Sequence, residues 1–142
     1  MEDLKKRVME LLEKHPMISL ATITADGKPW VRFVMGRVRD DLTIRIATST
    51  RSRKVAQIRT NPEVHITGGI ASLEDAEAYV QIAALAEVST DPELKREFWS
   101  ESLEAYFSGP DDEGYAVIVA SPYKIEVMGM KSLTPEIWER PA

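Results

Sequence analysis

Apolar positions recur along this chain with two periods, and the changes of period mark its elements. Leu4, Val8, Leu11 and Leu12 stand at i, i+4, i+7 and i+8, which predicts an amphipathic helix over residues 2–15. His15-Pro16 ends it, because the residue before a proline is pushed out of the helical region. Residues 17–24 then alternate, with Ile18, Leu20 and Thr22 on one face of a strand. Asp26-Gly27 supplies a tight hairpin turn, and the strand returns over 29–38. Asp40-Asp41 turns the chain into a third strand over 42–49. A short helix over 52–61 carries Val55 and Ile58 at i, i+3 and stops at Asn61-Pro62.

The alternation resumes over 63–69, where His65 faces away from the side of Val64 and Ile66 and is read as a surface or cleft residue. It continues over 78–88, with Val80, Ile82, Ala84, Ala86 and Val88 on one face. Asp91-Pro92-Glu93 opens a helix with a cap, a proline at its first position and an acid in its first turn. Leu94, Phe98, Leu103 and Phe107 give that helix its apolar stripe, and Gly109-Pro110 closes it. Residues 115–120 are apolar at every position and read as a central strand. Pro122 punctuates, and 123–128 return as an alternating strand. The tail from Lys131 carries Trp138 and little pattern. About seven strands and three helices on short turns predict a mainly β fold, a closed or nearly closed antiparallel barrel with peripheral helices. With no repeat, linker or low-complexity segment, residues 1–142 are expected to form one domain.

Composition narrows the chemistry. There is no cysteine, which removes disulfides, thiolate catalysis and Cys-based metal sites. His15 and His65 are the only two histidines and form no metal-binding spacing, so no metal is expected. No apolar run reaches membrane-spanning length, and the N-terminus is charged and helical rather than a leader, so a cytoplasmic protein without a membrane partner is expected. The net charge of −5 conceals a segregation. Residues 28–59 hold nine of the eighteen bases and two of the twenty-three acids, an excess of seven positive charges, so the rest of the chain carries −12. Such a chain repels a polyanion at long range and is not expected to bind nucleic acid; it suits a small anion held locally.

The basic region centres on Thr48-Ser49-Thr50-Arg51-Ser52-Arg53-Lys54, between a strand and a helix start. A helix start offers unpaired N–H groups and partial positive charge to an anion. Thr48, Ser49, Thr50 and Ser52 can donate hydrogen bonds, and Arg51, Arg53 and Lys54 supply charge. Two readings stand side by side: a phosphate pocket, or an N-cap at Ser52 followed by a solvated basic helix face. Arg32 lies among Val31, Phe33, Val34 and Met35 and needs a partner, because an unpaired buried charge is costly. That partner is solvent or a carboxylate in one reading, a bound anion or polar ring in the other. No nucleophile or acid/base dyad stands out, so catalytic residues are not assigned.

Arg32-Phe33-Val34-Met35 and Thr48-x-x-x-Ser52-Arg53-Lys54, sixteen residues apart from Arg32 to Thr48, form a recognisable pair. With Ile58-Arg59-Thr60-Asn61-Pro62-Glu63-Val64 and Pro122-Tyr123-Lys124-Ile125-Glu126, the chain resembles the pyridoxamine 5′-phosphate oxidase-like flavoproteins, and more narrowly their short general-stress-protein branch. The resemblance runs from about Met1 to Met130. It implies an FMN-binding split barrel in which Arg32, Phe33, Val34 and Met35 lie along the flavin. Thr48, Ser49, Ser52, Arg53 and Lys54 would take up the phosphate. It further implies a homodimer with each flavin at the interface, with Trp30, Trp99 and Trp138 as candidates to pack across it, and an FMN-dependent oxidoreductase acting on a small redox substrate. The alternative is a non-enzymatic flavin-binding or flavin-sensing stress protein. Ala84 and Tyr79 stand where relatives carry glycine and glutamine, and a tryptophan usual near Met128 is missing. The longer Arg- and His-bearing tail of the vitamin-processing oxidases is also missing, so true pyridoxamine 5′-phosphate oxidase activity is not expected.

Overall fold

A single stretch of chain, residues 29–38, supplies both edges of the sheet, and that is what curls it. The computed structural model describes residues 2–142; Met1, which the N-terminal reading includes, lies outside the described residues. The elements run α1 (Glu2–Lys14), β1 (Met17–Ile23), β2 (Pro29–Met35), β3 (Arg37–Val38), β4 (Ile44–Ser49), α2 (Arg53–Thr60), β5 (Glu63–Gly68) and β6 (Ala78–Ser89). There follow α3 (Pro92–Phe98), a 3₁₀ turn (Glu101–Ala105), β7 (Tyr115–Gly129) and β8 (Glu136–Glu139). The strands are ordered β2-β1-β5-β6-β7-β4-β3, with β8 added on β7. Every pairing is antiparallel. The expected mainly β barrel with peripheral helices is therefore present, as a curled sheet.

The alternation along the strands sorts the two faces. Ile18, Leu20, Ile46, Ile66, Ile82 and Ile118 are all buried inside the curl. Fully burying a side chain of this size contributes roughly 1.5–3 kcal/mol. Leu4, Val8 and Leu12 of α1 join the same core. The other face of β1 and β2 is bare: Met17 is 53% exposed, Val31 63%, Phe33 78% and Met35 56%.

Four local readings change. The strand expected over 29–38 breaks at Gly36, and its halves pair with β1 and β4 at opposite edges. The reason is room: a Cβ at Gly36 would lie 2.5 Å from Ile18 Cδ1 and 3.2 Å from Ile44 Cγ2. The two strands expected over 115–120 and 123–128 are one strand of 15 residues. Pro122 has no N–H to give the ladder, and the register against β6 shifts between Ala83 and Ala84 to pass it. The helix expected from Asp91 to Gly109 keeps its cap, Leu94 N–H donating to Asp91 Oδ2 at 3.4 Å, but ends at Phe98. Trp99 leaves it and meets the Tyr115 ring edge-on at 5.5 Å, while Phe107 reaches the same ring at 5.1 Å. The featureless tail contains β8, where Ile137 and Trp138 pair with Glu126 and Ile125.

Lys95 pins α3 to this frame. It is buried, its Nζ donates to the Asp112 carbonyl at 2.9 Å, and it lies 5.3 Å from the Tyr115 ring centroid. Tyr115 in turn donates its hydroxyl to the Lys95 carbonyl at 3.0 Å. Lys95→Met keeps the stem and deletes the charged donor, leaving the Asp112 carbonyl with only the Tyr115 N–H, at 3.1 Å. It should cost about 1–3 kcal/mol, read as a lower midpoint in thermal unfolding. An unchanged midpoint would remove Lys95 as an anchor.

Candidate functional site

The hydroxyl- and base-rich stretch folds as a locked turn. β4 pairs with β7 up to Ser49 opposite Tyr115. Thr50 N–H then donates to the Gly114 carbonyl at 3.0 Å, and Ser52 N–H to the Ser49 carbonyl at 3.0 Å. α2 begins at Arg53, with Val55 and Ile58 buried beneath it. Ser52 occupies the N-cap position but makes no side-chain cap; its hydroxyl exchanges a hydrogen bond with Thr48 Oγ1 at 2.9 Å. The capping reading of Ser52 is thus replaced by a pair of facing hydroxyls. Ser49 Oγ accepts from Arg51 N–H at 3.2 Å.

Arg32 reaches this region from β2. Its Nη1 donates to Thr22 Oγ1 at 2.7 Å, Trp30 O at 3.1 Å and Leu20 O at 3.2 Å; its Nη2 donates to Gln57 Oε1 at 3.1 Å. All four acceptors are neutral. Arg53 lies 6.0 Å from the Trp30 ring centroid. Burial, and then Arg53, hold Arg32 below its ordinary value. Burial, and then Arg32, do the same to Lys54. None of the ion pairs among the described residues includes Arg32, Arg53 or Lys54. Three cations therefore repel one another around a turn of hydroxyls, with no carboxylate between them. Such an arrangement can hold a small anion by charge-assisted hydrogen bonds.

Beside the turn opens a cleft of about 1130 Å³. Phe33, Val34 and Met35 line one wall, and Thr48, Ser49 and Lys54 its basic end. Arg32, Ser52 and Arg53 do not line it; they stand behind the basic end, joined to it through the Thr48–Ser52 contact. Phe98, Leu103 and Phe107 form the opposite wall. The structure so gathers all nine expected residues around one cleft, six of them on its surface. Thr22 and Gln57, which fix Arg32, were not singled out in the sequence. Thr22 alternates with apolar residues there and is fully buried, so only the hydrogen bond it accepts from Arg32 reveals it.

Other candidates fall away from the cleft. His65 lies on the outer face beside Gln81, Lys124 and Glu126, and burial lowers its pKa. Asp112 accepts from Ser108 N–H at 2.9 Å and Gly114 N–H at 2.8 Å. These bonds hold its carboxyl below the usual range and spend it on turning the loop. Trp99 and Trp138 pack within the chain, whereas Trp30 stays half exposed.

Residues 4–129 match the family model for pyridoxamine 5′-phosphate oxidase. General stress protein 26 of Bacillus subtilis is 37% identical over 134 residues, 94% of this chain and 94% of that one. The crystal structure of General Stress Protein 26 from Bacillus anthracis matches with a TM-score of 0.82 at 29% identity, covering 96% of this chain and 98% of that one. A pyridoxamine 5′-phosphate oxidase-related, FMN-binding protein from Nostoc punctiforme shares the fold at a TM-score of 0.74 and 15% identity, over 96% of this chain and 90% of that one.

Proposed function

This chain belongs to the pyridoxamine 5′-phosphate oxidase family, and from that premise we propose that it binds FMN and acts as an FMN-dependent oxidoreductase on a small redox substrate. The observation that carries the reading is the trio Arg32, Arg53 and Lys54, none of them in an ion pair among the described residues and all set around the Thr48–Ser52 hydroxyl pair. An FMN phosphate brings roughly two negative charges at neutral pH. Thr48, Ser49, Ser52, Arg53 and Lys54 would hold it by charge-assisted hydrogen bonds. Arg32, Phe33, Val34 and Met35 would lie along the ring system. When bound, FMN supplies the hydride or electron transfer. The chain's part is to bind and orient the cofactor and to exclude water with the apolar walls of the cleft. The bare face of Met17, Val31, Phe33 and Met35 supports a homodimer, with Trp30 at hand to pack across it. Residues 1–142 would act as one cofactor-binding domain in the cytoplasm.

The test is the visible spectrum of freshly purified protein, then titration with FMN. A flavin band or saturable binding at one site per chain is expected, followed by oxidation of a reduced nicotinamide once an acceptor is supplied. A colourless protein that ignores FMN would overturn the reading.

Lys54 gives a pH dependence. Its ammonium is disfavoured by burial and by Arg32. Between its lowered folded value and the ordinary ~10.4 of lysine, the unfolded chain holds more protons, so fold stability rises with pH across that window. A phosphate against Lys54 favours the ammonium again. FMN binding should therefore take up a proton, and affinity should fall as pH climbs past the lowered value. Titrations from about pH 7 to about pH 10 check this, and Lys54→Arg should flatten the profile.

A further inference from the structure

Resting on the cofactor reading, we propose that the cleft has a second anion subsite, built on Arg37, that takes the carboxylate of an aromatic acid substrate. The cleft, at about 1130 Å³, is larger than the roughly 300–1,000 Å³ typical of a single ligand. Its basic end accounts for one phosphate. Arg37 lines another part. It pairs with Arg45 across β3 and β4, and Arg45 is three residues from Thr48 along β4, so the two subsites stand roughly 10 Å apart.

The charges around Arg37 are unbalanced. Two arginines directly opposite on neighbouring strands repel each other. The carboxylate nearby, Glu97, is taken by Arg39 at 2.8 Å and Arg45 at 3.6 Å, which hold it below the usual carboxylate range. Arg45 Nε and Nη1 are buried without a hydrogen-bond partner among the described residues. Arg37 is in no ion pair among the described residues; its guanidinium lies 6.0 Å from the Phe98 ring centroid. Glu13 is the one carboxylate lining the cleft, against Arg37 and Lys54. The cleft surface so keeps a positive excess.

The wall beside Arg37 selects the body of the ligand. Phe98, Tyr106 and Phe107 present rings to the cleft, and Tyr106 is 78% exposed. Such walls favour an offset or edge-on aromatic partner. Ser100 and Ser102 exchange one hydrogen bond at 2.8 Å, which leaves the second hydroxyl proton of the pair free to donate. A guanidinium fork with a hydroxyl donor suits a carboxylate.

The experiment is isothermal titration with 2-naphthoate and its neutral isostere 2-naphthamide. Wild type, Arg37→Gln and Arg37→Lys are each titrated with and without saturating FMN. Naphthoate should bind wild type at one site per chain with FMN present. Arg37→Gln should weaken it about ten-fold or more, and Arg37→Lys less. Naphthamide should bind weakly and equally to all three, and FMN affinity should not change with Arg37→Gln. Equal naphthoate affinity in wild type and Arg37→Gln, no naphthoate binding at millimolar concentration, or displacement of naphthoate by FMN would each overturn the subsite. Loss of FMN binding alone would overturn the cofactor reading, while the naphthoate series on the cofactor-free protein still decides Arg37.

Discussion

Replacing Arg53 and Lys54 together with alanine should weaken FMN binding about 100-fold or more and leave the thermal midpoint in place. Hydrogen bonds to charged groups contribute roughly 1.5–3 kcal/mol each. Losing two amounts to about 3 kcal/mol or more, and 1.4 kcal/mol is about ten-fold. The fold should not suffer, because neither side chain holds a carboxylate and Lys54 is repelled by Arg32. Val55 and Ile58, which seat α2 on the barrel, are untouched. Part of the wild-type affinity should also fade with salt, since Arg53 is exposed and its field is screened. Calorimetric titration and circular dichroism melting check the two halves. An unchanged dissociation constant would sink the phosphate assignment, and a collapsed melt would mean that the turn depends on these cations.

Gly36→Ala should destabilise the protein by roughly 1–3 kcal/mol, as overpacking of a full core does. That corresponds to about 4 °C in the midpoint per kcal/mol for a chain of this size. The new Cβ would meet Ile18 Cδ1 at 2.5 Å. Ile18→Val removes that methyl, at an expected cost alone of roughly 0.5–1.5 kcal/mol. The double variant should lose less than the two single losses added, because the collision is gone. Gly68→Ala is the control. A Cβ there would lie 2.8 Å from Ile18 Cγ2, an atom valine keeps, so Ile18→Val should not relieve it. Additive losses in the Gly36 pair, measured by chemical denaturation, would show that closure at Gly36 does not hinge on Ile18.

The candidate site was legible where chemistry is local in the chain. Thr48 to Lys54 announce themselves because hydroxyls, bases and a helix start fall within one turn of backbone. Thr22, Gln57, Arg37 and Arg45 were not, because what matters in them is the partner across the sheet. Thr22 reads as one polar residue in an apolar strand until Arg32 is seen to donate to it from β2. Arg37 and Arg45 are only two of the nine bases over residues 28–59 until the register sets them face to face.

The same division runs through the fold. Periodicity of two placed the strands and sorted inner from outer residues correctly along β1, β5 and β6, since each side chain's face depends only on its neighbours in sequence. Asp91 and Pro92 likewise marked the start of α3. The break at Gly36, the passage of β7 straight through Pro122 and the end of α3 at Phe98 depend on tertiary contacts: the methyl of Ile18, the shifted ladder of β6 and the ring of Tyr115. By itself the sequence determined which residues face inward and where cations gather. The tertiary structure decided which edges meet and which charges stand together without a counter-charge, because strand order and register are set by packing between segments far apart in the chain.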